Sequence, residues 1–134
     1  MPAELLTKIQ NVFGCGWASE DEVRAAIKSC WDANGYVIDP HTACGYYLLE
    51  QMPRDPLTPR VLLSTASPYK FCDSVLTAIG EVPVADSVDR IAQLEAVTGV
   101  AAPKRLAALK GKVPRFGGVA DRERMEDVVL DFLR

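Results

Sequence analysis

The sequence predicts an α/β fold in which helices dominate and only a short, mostly parallel sheet is present. Three observations carry that prediction. Several stretches space their apolar residues at helical intervals. One unbroken apolar run, Val61-Leu62-Leu63, reads as a strand covered on both faces, as in a parallel sheet. That run leads through Ser64-Thr65 to Ser67-Pro68, where Ser67 can cap a helix and Pro68 can take its first position.

The elements follow in order. In "SEDEVRAAIKSCWDANG", Ser19 and Glu22 stand in capping-box spacing, and Val23, Ala26, Ile27, Cys30 and Trp31 share one helical face up to a stop at Gly35. "YVID" is a short β-favouring run, after which Asp39-Pro40 caps and starts a second helix carrying Cys44, Tyr47 and Leu48 and ending before Pro53. "PRDPLTP" holds three prolines in seven residues and is a surface loop. After the apolar run comes a helix burying Phe71, Val75, Leu76 and Ile79 up to Gly80. Three further helical patterns span 86–98, with Val88, Ile91 and Leu94 inward, then 103–110, with Leu106 and Leu109, and then 121–133, with Met125, Val128, Val129, Phe132 and Leu133.

The chain has 134 residues, enough for one domain over 1–134 and too few for two well-stabilised ones. Its net charge is −3 and its basic residues are scattered, so no continuous track is offered to nucleic acid. No apolar stretch approaches the roughly 20 residues of a membrane span, and "MPAELLTKIQ" lacks the build of a signal peptide, so a cytoplasmic location is expected. Cys15, Cys30, Cys44 and Cys72 form no close pair of metal-ligand spacing, and with one histidine in the chain they read as reduced, small apolar side chains.

Two clusters are candidates for chemistry. Ligands of open parallel sheets bind beyond the carboxyl ends of strands, where Ser64 and Thr65 are expected. Their hydroxyls can exchange a hydrogen bond with a ring nitrogen, or they can simply satisfy backbone groups in the turn. His41, two residues after Asp39, can donate a hydrogen bond or take part in capping, with its charge disfavoured by the positive end of the helix dipole. A single histidine among scattered nucleophiles fixes no triad geometry.

"GYVIDPHTACGY" followed by "VLLSTASPYKF" closely resembles the C-terminal part of threonine synthase, a pyridoxal-phosphate enzyme of the tryptophan-synthase β-like fold type. "FGCGWASEDEVRAAIK" looks like that part's helical lead-in, and "LEAVTGVAAPKRLAALKGK" with "MEDVVLDFL" looks like its closing helices. The resemblance implies that Thr65 matches the hydroxyl that meets the cofactor's pyridine nitrogen at the end of a late strand, with Ser64 beside it. A neutral partner there suits a ring kept unprotonated, a milder electron sink. It further implies that Asp39 and His41 lie in a loop near the cofactor. Lys70 is either an anion contact for substrate or a packing lysine. The whole enzyme would convert O-phosphohomoserine and water to threonine and phosphate. Cys72 stands where the family's pattern suggests proline, and Cys44 where it suggests a small aliphatic residue; both read as packing variants.

Such an enzyme also needs a Schiff-base lysine and a Gly/Ser/Asn-rich phosphate loop. None of Lys8, Lys28, Lys70, Lys104, Lys110 or Lys112 stands in the family's lysine context, and no glycine cluster replaces the loop. The expectation is a chain inactive alone, needing a missing N-terminal catalytic portion or a complementing chain, and prone to form a homo-oligomer through its uncovered strand. The alternative is a non-catalytic binding or interaction module that reuses the fold.

Overall fold

In a computed structural model describing residues 1–134, the chain forms seven α-helices and two 3-10 turns. Helix α1, Ala3–Gln10, places Leu5, Leu6 and Ile9 at three- and four-residue spacing, a signal available in the sequence, yet it buries none of its residues. Helix α2, Glu20–Asn34, starts on the predicted capping box: the Ser19 hydroxyl accepts from the Glu22 N–H at 3.3 Å, and the Glu22 carboxylate accepts from the Ser19 N–H at 2.7 Å. It ends on Gly35 at φ +62°, a left-handed conformation that costs glycine nothing.

Helix α3, Pro40–Gln51, is capped by Asp39 as the sequence predicts. Ser67 accepts from the Tyr69 N–H at 3.3 Å and starts a 3-10 turn, Pro68–Lys70. The α-helix proper, α4, runs only from Cys72 to Ile79. Helix α5, Asp89–Thr98, begins three residues later than the periodicity suggests, because the Asp86 carboxylate accepts from the N–H groups of Val88 and Asp89 and closes a turn ahead of it. Helix α6 is a single turn, Lys104–Ala107; it holds Leu106 half-buried but leaves Leu109 exposed, contrary to its expected inward position. A second 3-10 turn, Arg122–Arg124, leads into α7, Met125–Phe132.

Helix α2 packs on both α3 and α4, and α4 on α5. Ile27, Ala43, Val75, Leu76 and Leu94 are wholly enclosed where these helices meet. Cys30 and Cys72 are core residues beside them, and burial pushes both thiols up from their ordinary pKa. The Tyr47 hydroxyl donates to the Glu22 carboxylate, tying α3 to the first turn of α2. No helix is long and apolar enough to cross a membrane.

The predicted sheet is absent. The structure holds no β-strand, and residues 59–66 run alongside α3 without any ladder. Val61 and Leu63, expected to be covered on both faces, are 79% and 75% exposed. The physical reason is that a strand's backbone groups need a neighbouring strand. The other β-favouring run, 36–39, passes directly into the α3 cap and supplies none.

Outside the helical core the chain is open. Its accessible surface is 10672 Å², whereas a compact monomer of 14.6 kDa exposes roughly 6,900 Å². Residues 107–134 are exposed throughout, including Met125, Val128, Val129, Phe132 and Leu133, which the helical spacing places inward but which meet no packed neighbour element; Phe116 and Phe132 meet edge to face at 6.4 Å.

Two outcomes follow. Leu76→Ala should cost about 2–5 kcal/mol in urea unfolding, and Val129→Ala on the exposed tail should stay within about 0.5 kcal/mol. The hydrogen bonds from Tyr47 and Ser19 lower the Glu22 pKa below its ordinary 4.5. Glu22 thus contributes stability above pH 4.5 that is lost as the pH falls through its folded value. Urea midpoints of the wild type and Glu22→Gln should therefore differ at neutral pH and converge in acid.

Candidate functional site

The two sequence clusters meet at the start of α3. Asp39 is completely buried. One carboxylate oxygen accepts from the His41 N–H at 3.0 Å and the Thr42 N–H at 3.3 Å, and the other accepts from the Thr42 hydroxyl. These donors, with the positive end of the helix, compensate for removing the carboxylate from water. The Thr42 hydroxyl oxygen lies 3.4 Å from that of Ser64, so Asp39, Thr42 and Ser64 form one polar chain across α3 and the 59–66 segment.

Close packing holds the same segment in place. A Cβ at Gly45 would stand 2.8 Å from Leu62 Cδ1, so a larger residue there would have to push the Leu62 side chain aside. Leu62 is half-buried against α3 and the Ser64 hydroxyl reaches Thr42, but Ser64 is exposed, as are Val61, Leu63 and Thr65.

Thr65 is exposed and its hydroxyl has no partner in the protein. Ser64 also donates to the Ala66 carbonyl at 3.4 Å, the turn role open to it from sequence. His41 caps through its backbone. Its ring is 64% exposed, lies 5.0 Å from the Phe71 ring, and brings Nδ1 within 3.4 Å of the Asp39 carboxylate. Lys70 is exposed and carries no ion pair. Asp39, His41 and Ser64 are thus brought together with Thr65 next to them, while Lys70 is joined to them by no hydrogen bond or ion pair.

Thr42, which sequence reasoning missed, is the buried hydroxyl joining the two clusters; its position three residues after the Asp39 cap was the available signal. Beyond Ser67-Pro68 lies a cavity of about 250 Å³ walled by Trp31, Tyr36, Tyr69, Leu94 and Val100. Tyr69 closes one side of it by donating its hydroxyl to the Val100 carbonyl.

The arrangement determines which groups can act on a ligand. The Asp39 carboxylate is committed to the helix cap and to Thr42, so it positions rather than transfers protons. Thr65 keeps a free donor and acceptor, and His41 keeps an exposed ring. The free Thr65 hydroxyl has the chemistry to exchange a hydrogen bond with a ring nitrogen. Of the lysines, Lys28 is paired with Asp32 and Lys110 with Asp89, both on the surface.

Comparison with known proteins agrees with the motifs that meet here. The family described as threonine synthase, C-terminal, matches residues 42–129. This chain belongs to the threonine synthase family. It is 38% identical over 76 residues to threonine synthase-like 1 of Mus musculus, covering 57% of this chain and 10% of that protein. It is 35% identical over 80 residues to threonine synthase-like 2 of Homo sapiens, covering 58% of this chain and 16% of that protein. With the threonine synthase of Corynebacterium glutamicum it shares 37% identity over 71 residues, 53% of this chain and 15% of that protein. The chain therefore matches a small part of the length of these threonine synthase relatives. The family match begins at Thr42, so it includes Ser64, Thr65 and Lys70 and leaves Asp39 and His41 just ahead of it.

Asp39→Ala removes the cap and strands the buried Thr42 hydroxyl. It should lower unfolding stability by about 1–3 kcal/mol, with Asp39→Asn, which can still accept a hydrogen bond, costing less in the same urea titration.

Proposed function

We propose that this chain supplies the C-terminal wall of a pyridoxal-phosphate-dependent threonine synthase active site, converting O-phosphohomoserine and water to threonine and phosphate. The observation that carries the reading is the exposed, unpartnered Thr65 hydroxyl, held at the end of a segment fixed by Ser64, Thr42 and Asp39. When bound, the cofactor supplies an electron-withdrawing ring. Thr65 donates a hydrogen bond to that ring's nitrogen and, lacking a negative charge, leaves it unprotonated. Asp39 fixes the start of α3 so that the His41 ring stays beside the same wall. Lys70, free of ion pairs, offers a cation to the substrate's phosphate.

The lysine that binds the cofactor and the loop that holds its phosphate come from the portion of the enzyme that the relatives carry outside the matched segment. That assignment is consistent with the 10% to 16% of their length the matches cover. Cofactor binding and turnover then require both portions.

The test is phosphate release from O-phosphohomoserine. The chain alone should release none. Joined to or mixed with a portion carrying the lysine and phosphate loop, it should gain activity, and Thr65→Ala should reduce that activity on the order of 10²-fold. Turnover by the chain alone, or a Thr65→Ala complex as active as the wild type, would sink the reading.

A further inference from the structure

We propose that the cavity beyond Ser67-Pro68 is a binding site for a small quaternary ammonium ion. Three aromatic side chains from separate elements wall it: Trp31 from the last turn of α2, Tyr36 just past the Gly35 stop, and Tyr69 from the first 3-10 turn. Aromatic side chains gathered around one space are how methylated ammonium groups are recognised, because the negative ring faces attract a cation that water hydrates weakly. Gly35 makes the arrangement possible. Its φ of +62° ends α2 in a sharp turn, which sets Tyr36 on the same cavity as Trp31. The volume of about 250 Å³ lies just below the roughly 300–1,000 Å³ of sites for drug-sized ligands, so the occupant is small.

The charge around the cavity favours a cation. No lysine, arginine or histidine lines it. Glu95 follows the lining residue Leu94 on α5, and its carboxylate accepts from the Ala102 N–H at 3.3 Å, between the lining residues Ala101 and Pro103. Its field reaches the cavity wall: burial pushes the Tyr69 phenol pKa up, and the Glu95 charge adds to the rise.

The polar groups inside select the kind of cation. Tyr69 donates its hydroxyl to the Val100 carbonyl, Thr98 donates to the Leu94 carbonyl at 2.7 Å, and the Ser67 hydroxyl oxygen accepts from the Tyr69 N–H at 3.3 Å. With these hydroxyls engaged, the N–H groups of a primary ammonium would lose water there without gaining acceptors. A quaternary ammonium has no N–H to satisfy. None of Asp39, His41, Thr42, Ser64 and Thr65 lines the cavity, so this inference does not rest on the cofactor reading, and its test involves no turnover.

The experiment titrates the purified chain with choline chloride at constant ionic strength and follows residue-resolved NMR shifts. Ethanolamine serves as the primary ammonium, and the uncharged tert-butyl analogue of choline serves as the neutral isostere. Choline should bind saturably, shift the Trp31 indole N–H while the exposed Trp17 indole stays still, and bind about tenfold more tightly than either analogue. Tyr36→Ala should weaken choline binding about tenfold, whereas Tyr36→Phe, which keeps the ring, should bind as the wild type does. Tyr36 is 60% exposed, so both variants should keep the wild-type circular dichroism. Choline binding that never saturates, or that leaves the Trp31 indole unmoved, overturns the proposal. So does either analogue binding as tightly as choline, or Tyr36→Ala binding choline at wild-type strength.

Discussion

The buried Asp39 carboxylate is the constraint on which the site depends. A charge removed from water must be compensated fully, and here the helix start, two backbone N–H groups and the Thr42 hydroxyl compensate it. The consequence reaches beyond the cap. Because Thr42 is held by Asp39, its hydroxyl has a fixed position from which to meet Ser64, 22 residues further along the chain. Ser64 in turn sets the face on which its neighbour Thr65 projects, since adjacent residues of an extended chain point to opposite sides. A single carboxylate at a helix start thus determines where an exposed hydroxyl at the other motif points.

The packing around that link is uneven. Ile27, Val75, Leu76 and Leu94 give α2, α4 and α5 an enclosed centre, and α3 joins it through Ala43 and the Tyr47 bond to Glu22. The arms on either side, α1 and the chain from 107 onward, add apolar side chains without enclosing them. Free energy from burial is roughly proportional to the apolar area removed from water, so the core carries the stability and the arms contribute little. The candidate site lies on the core side of this division. Its anchoring residues, Asp39 and Thr42, are buried with that core rather than with the arms.

Where information was local, the sequence was readable. The capping box at Ser19, the Asp39-Pro40 start, the Gly35 stop and the inward positions of Ile27, Leu76 and Leu94 all depend on residues within one or two helical turns. The motifs "DPHTA" and "STASP" were visible too, and so was their family. The sheet was not predictable in the same way. "VLLSTA" has the composition of a covered strand, but a strand exists only with a partner, and composition states a need without supplying the neighbour. Leu109 shows the same limit: its helical spacing was correct, but the four-residue α6 ends before it can be turned inward. Thr42 was missed for a different reason. Its bond to the Asp39 cap was readable from the three-residue spacing, but its contact with Ser64, 22 residues away, leaves no periodic trace.

The failure of the strand prediction bears on chemistry as well as on fold. A strand inside a sheet is fixed by ladder bonds on both edges, and its end is correspondingly well placed. Residues 60–66 are fixed on one side only, through Leu62 against Gly45 and Ser64 against Thr42. That is enough to choose which side Thr65 takes, but without ladder bonds the backbone keeps more freedom than a strand inside a sheet has. Hydrogen bonding to a ring nitrogen tolerates little such freedom, because the bond weakens steeply once its angle falls below about 120°. A ladder on the free backbone of 60–66 would narrow that freedom at Thr65.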